Sequence, residues 1–102
     1  MSIESKKIIA TIKKIVGLLR MADERHWFNY FTYVLKLLKK GDHDTTVIRS
    51  LSKLFDKNSA NSFARVILHH KGNILARENM ELEILRKSLK SLVSSSLNQT
   101  PQ

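Results

Sequence analysis

The chain predicts an all-α protein, a compact single-domain bundle of about five helices. Apolar residues recur at the three-and-four spacing of a buried helical stripe through nearly all of its length. Its 102 residues, 42% hydrophobic and of ordinary complexity, suit one globular core rather than two or none. Residues 1–97 read as that domain and 98–102 as a frayed polar tail.

In the first segment Ile8, Ile12, Ile15, Val16 and Leu19 form one stripe with Ile9 beside it, and Ser2 or Ser5 is placed to cap the start. Lys6, Lys13 and Arg20 recur seven apart on the opposite side, flanked by Lys7 and Lys14. This helix is therefore amphipathic and basic. Such a face grips carboxylates, phosphates or lipid head groups, or simply faces solvent.

The second segment starts near Asp23, a candidate N-cap, with Glu24 in the first turn. Trp27, Phe31, Val34 and Leu38 make its inward stripe, widened by Tyr30, Leu35 and Leu37. Lys36, Lys39 and Lys40 suit the negative end of the helix, and Gly41 stops it. Five of the seven aromatic residues fall between Trp27 and Tyr33. That cluster reads as the bulkiest layer of the core, although aromatics beside Arg25 and His26 could also anchor a partner or stack bases.

Gly41-Asp42-His43-Asp44 reads as a turn whose last acid caps the next helix. Three adjacent side chains in a turn do not converge on one ion, so no metal site is assigned there. Thr45 to Phe55 forms the third helix, with Val47, Ile48, Leu51, Leu54 and Phe55 inward, and Asp56-Lys57-Asn58-Ser59 breaks it. A short fourth helix is predicted from a cap at Asn58 or Ser59, with Phe63, Val66 and Ile67 inward and Arg65 outward, ending near His69-His70-Lys71-Gly72-Asn73. Two consecutive histidines on a helix point about 100° apart and cannot chelate one metal together. A helix-turn-helix over Thr45 to His70 would offer only Asn61, Ser62, Arg65 and His69 to a groove, which is thin for base reading.

The last helix, roughly Ile74 to Leu97, turns Leu75, Leu82, Leu85, Leu89, Leu92 and Val93 inward. It carries a mixed-charge outer face of Arg77, Glu78, Glu81, Glu83, Arg86, Lys87 and Lys90, for which internal ion pairing is the expected explanation. Glu78, Glu81 and Glu83 are interleaved with cations and read as solvated pairs rather than as an acid and a base.

The run Leu-Leu-x-x-Ala-Asp-x-x-His-Trp from Leu18 to Trp27, then Gly41-Asp42, Leu51 to Phe55 and Glu78-Asn79-x-x-Leu82-Glu83-x-Leu85-Arg86, resembles a family of small bacterial all-helical domains. In that family an early tryptophan accompanies a Gly-Met-Gly-Ser turn; here Asp56-Lys57-Asn58-Ser59 stands in that place. The resemblance implies a compact bacterial helical domain of the kind found among toxin immunity proteins, and it transfers no catalytic residue.

The formal net charge is +9, and it is unevenly placed: residues 1–40 carry +6, residues 41–71 +2 and residues 72–102 +1. A field of that sign draws acidic partners and speeds their capture. Absence of cysteine excludes disulfides and thiolate metal sites and suits a reducing compartment, so a cytoplasmic location is expected. Lys13 and Lys14 interrupt the first apolar run before it reaches signal-peptide length, and no apolar run approaches the roughly 18 residues that a membrane span needs. No cofactor is implied, and nothing reads as an enzyme: the chain holds no phosphate-cradling glycine loop, dense metal-ligand cluster or evident nucleophile and base.

The expected function is stoichiometric binding, most concretely by an immunity protein or antitoxin that caps the cleft of a cognate bacterial toxin. Its expected partner-binding residues are Lys6, Lys13, Lys14, Arg20, Lys36, Lys39 and Lys40, facing an acidic surface. The alternative is a basic nucleic-acid-binding or regulatory module in which the same side chains neutralise phosphates.

Overall fold

The structure, a computed structural model, describes residues 3–41, 44–55 and 63–98. Four α-helices account for most of them: α1 (Ile3–Met21), α2 (Arg25–Lys40), α3 (Asp44–Lys53) and α4 (Ala76–Asn98). Between α3 and α4 lie a single 3-10 turn, Phe63–Arg65, and a two-residue-per-strand antiparallel hairpin of β1 (His69–His70) and β2 (Asn73–Ile74). The fold is all-α in the main, with four α-helices among the described residues where about five were expected. The Asp42-His43 turn, the break at 56–59 with its cap candidates Asn58 and Ser59, Ser2, and the tail from residue 99 lie outside the described residues.

Helix α1 is the hub. Its stripe of Ile8, Ile12, Ile15 and Leu19 is buried, and the helix packs along both α2 and α4, while α3 packs on α4 and α2. Phe31, Val34 and Leu38 come in from α2, Val47, Ile48 and Leu51 from α3, and Leu82, Leu85, Leu89 and Val93 from α4. Each such side chain taken out of water contributes about 1.5–3 kcal/mol against the entropy of chain ordering. Gly41 ends α2 as expected: at φ 73° its N–H reaches the carbonyls of Leu37 and Leu38. Gly17, by contrast, sits exposed in the interior of α1, and a Cβ there meets nothing within 4 Å. Gly17→Ala is expected to raise stability by about 1 kcal/mol, the helix-propensity difference, read as a midpoint rise of about 4–8 °C in thermal unfolding.

The predicted fourth helix is absent over residues 63–70. After one 3-10 turn the chain extends, Leu68 points into the core, and Ile67, expected inward, is 52% exposed. Local bonding favours this outcome. Lys71 (φ 50°) and Gly72 (φ 83°) both take positive φ between paired strands, as a two-residue type I′ hairpin turn requires. Backbone groups of Phe63, Val66 and Leu68 are bonded from α4. Asn79 Oδ1 accepts the Leu68 N–H at 2.7 Å, while its Nδ2 donates to the carbonyls of Leu68 (3.1 Å) and Leu75 (2.9 Å). Arg86 Nη1 donates to the carbonyls of Phe63 (2.9 Å) and Val66 (2.8 Å). These bonds replace those a helix would have made internally.

Two further expectations are corrected here. Arg86 makes the ion pair expected of its face, Nη2 to Glu83 at 3.1 Å, but is not on the outer face: its side chain is 11% exposed and its guanidinium carbon lies 5.6 Å from the centroid of the Phe63 ring. Asp23 does not cap α2. Glu24 occupies the N-cap without a side-chain bond, because the Asp23 carboxylate is turned to the hairpin, where Oδ2 accepts the Lys71 N–H at 3.0 Å. The Asp23 N–H also donates to the His69 carbonyl at 2.9 Å, so the α1–α2 turn and the hairpin are tied at two points.

Candidate partner-binding surface

A cationic residue on the outer side of an amphipathic helix is held away from the core by the same periodicity that buries its neighbours. All seven expected binding residues obey this: Lys6, Lys13, Lys14 and Arg20 on α1, and Lys36, Lys39 and Lys40 on α2, are exposed. None of them forms an ion pair with a described residue. Among the described residues Glu83 pairs with Arg86 on α4, and Asp23, in the turn just after Arg20, lies 3.6 Å from His70 Nδ1.

The fold does not gather the seven into one spot. A link of only three residues turns α2 back along α1, so the two helices run antiparallel. Lys6 therefore lies toward the same end as Lys36, Lys39 and Lys40, whereas Arg20 lies at the turn. At 1.5 Å per residue, Lys6 and Arg20 are about 21 Å apart along α1, with Lys13 and Lys14 between them. Four of the seven thus lie along α1, with Arg20 at the turn pole, and three lie in the second half of α2. Arg20 is partly engaged already, its guanidinium carbon 5.8 Å from the centroid of the Phe28 ring.

The turn pole also has a concavity. A cleft of about 400 Å3 is lined by Leu19, Arg20, Ala22, Asp23, Arg25 and Phe28. Arg25 lines this cleft but was not in the expected binding set; its signals in the sequence were its place beside the aromatic cluster and across a tight turn from Arg20. The one acid in the lining has other partners: besides the Lys71 N–H, Asp23 faces His70, whose Nδ1 lies 3.6 Å from Oδ1.

The aromatic cluster is mostly used internally. Trp27 and Phe31 of α2 meet Phe63 at centroid distances of 5.3 and 4.7 Å, and Tyr30 packs edge-on against Trp27 and Phe31. Burial raises the Tyr30 pKa above its ordinary value, which keeps the phenol neutral. Tyr33, 61% exposed, is the exception among the five aromatics of α2 that stands fully in solvent. His69 and His70 are consecutive strand residues and so point to opposite faces of the hairpin. Among the described residues no group of three or more His, Cys, Asp or Glu is placed to hold a metal, and no helix is long and apolar enough to cross a membrane. No known protein family, curated protein or solved structure matches the chain.

Proposed function

We propose that this is a stoichiometric binding protein that docks the cationic side chains of α1 and α2 on an acidic face of a partner protein, most concretely as a cytoplasmic immunity protein or antitoxin blocking a cognate bacterial toxin. One observation carries the reading: seven exposed Lys and Arg side chains lie along an antiparallel helix pair, with no described carboxylate paired to any of them. Charges arranged in this way steer a complementary surface into register and speed its capture. A nucleic-acid partner is less well served. The rings that would stack bases are packed on one another, and the described part of the segment that a helix-turn-helix would use for base reading, from Phe63 on, is a 3-10 turn and a hairpin.

The test is charge reversal midway along α1. Lys13→Glu with Lys14→Glu is expected to slow association with the captured partner by about tenfold, the low end of the range for electrostatic steering, with a steep salt dependence in the parent protein. Thermal stability should change little, within about 0.5 kcal/mol, because both side chains are solvated. Capture should yield one protein species at equal stoichiometry from native lysate. Recovery of bulk RNA or DNA that nuclease treatment removes, with no protein left behind, would sink the reading.

A further inference from the structure

The cleft at the turn between α1 and α2 is chemically lopsided. Its lining combines the apolar side chains of Leu19, Ala22 and Phe28 with two arginines, Arg20 and Arg25. Neither arginine is in an ion pair with a described residue, and the remaining lining group, the Asp23 carboxylate, is turned toward the hairpin. A volume of about 400 Å3 lies within the range of sites that hold small molecules or a few atoms of a partner.

We infer that this cleft binds a single carboxylate carried on an apolar body, as an acidic protein partner presents it at a chain end or beside an aromatic residue. Arg20 and Arg25 hold the carboxylate by charge-assisted hydrogen bonds, and Phe28, Leu19 and Ala22 cover the apolar part. Selectivity comes from the apolar side chains: two guanidiniums and one carboxylate leave a net positive lining that attracts any anion, and Leu19, Ala22 and Phe28 have nothing to offer a bare inorganic ion but cover a ligand's apolar body. That a protein bears the carboxylate rests on the function proposed above; the preference for carboxylate stands on the cleft alone.

The experiment is a titration of the 15N-labelled full chain, followed by amide chemical shifts, with phenylacetate, acetate and inorganic phosphate as separate probes. Phenylacetate is expected to give saturable shifts confined to the neighbourhood of Arg20, Asp23, Arg25 and Phe28, and to bind about tenfold or more tightly than acetate through its covered ring. Arg20→Gln and Arg25→Gln are each expected to weaken it by about tenfold, the loss typical of a charge-assisted hydrogen bond. Lys90→Gln, on the exposed side of α4 and outside the proposed binding set, should bind as the parent does. Should Arg20→Gln disturb the fold by releasing Phe28, Arg25→Gln carries the test, since Arg25 is exposed and has no described ring or ion-pair partner. Shifts that never saturate, phosphate binding as tightly as phenylacetate, or an Arg25→Gln variant that binds like the parent would each overturn the inference. Failure of the Lys13/Lys14 reversal to affect partner capture would instead strike the proposed function and leave the cleft's chemistry standing.

Discussion

Phe31→Ala is expected to cost about 3–5 kcal/mol, the largest loss from any single substitution considered in this protein. The Phe31 ring is fully buried, and its centroid lies 4.7 Å from Phe63, 5.2 Å from Tyr30 and 6.2 Å from Trp27. Removing it forfeits the transfer energy of the ring and leaves a cavity whose walls are other rings, too rigid to collapse inward. It also unhooks α2 from the 3-10 turn, because Phe63 is the ring that meets Trp27 and Phe31 across that junction. A domain of this size holds about 5–15 kcal/mol in all, so the variant should be close to unfolding at 37 °C. Urea denaturation checks this: the midpoint should fall sharply while the slope stays constant. Phe31→Leu, which keeps most of the volume, should cost about 1.5 kcal/mol or less. A Phe31→Ala loss below 1 kcal/mol would mean that the aromatic layer is not the joint between α2 and the segment after α3.

Asn79→Ala should cost about 2–4 kcal/mol, and the damage should be local. The amide of Asn79 acts as a strand edge on the side of a helix, bonding both the N–H and the carbonyl of Leu68 and the carbonyl of Leu75. Leu68 is fully buried, so its orphaned N–H has no route to water, and each unsatisfied buried group costs about 1–3 kcal/mol. Asn79→Asp should be no milder: one oxygen can still accept from Leu68, but the other, now anionic, faces two carbonyls in place of a donor. Hydrogen exchange is the discriminating measurement. The amides of Leu68 and Leu75 should lose protection in the variant while those of α1 keep theirs, because the hairpin opens as a unit. Uniform loss across all four helices would show that the clamp holds the whole bundle rather than the hairpin.

These two positions mark where the sequence could and could not be read. The stripes of α1, α2 and α4 were legible because their burial repeats at helical spacing: Ile8, Ile12, Ile15 and Leu19, or Leu82, Leu85, Leu89 and Val93, need no knowledge of what they pack against. Residues 63–70 misled because Phe63, Val66 and Ile67 have that same spacing over too short a run. A 3-10 turn followed by an extended stretch satisfies Phe63 and Val66 and leaves Ile67 outside. Arg86 misled for the opposite reason: among alternating charges it looks solvated, and nothing near it in sequence announces the Phe63 and Val66 carbonyls it reaches. Trp27, Asn79 and Arg86, which belong to the motifs quoted for the family resemblance, all contact the 63–75 segment.

The binding residues divide along the same line. That Lys6, Lys13, Lys14, Arg20, Lys36, Lys39 and Lys40 face outward follows from their place opposite each apolar stripe, so sequence alone determined it, along with the basic sign of the surface and the helical class of the fold. Tertiary structure alone decided that Arg25 lines the same cleft as Arg20, Leu19, Ala22 and Phe28, and that Asp23 is turned to the hairpin instead of capping α2. The reason is the range of the interactions. A helix closes its hydrogen bonds four residues away and writes its buried face into its own periodicity, whereas a turn, a hairpin or a cleft is completed by donors and charges that the chain brings in from tens of residues away.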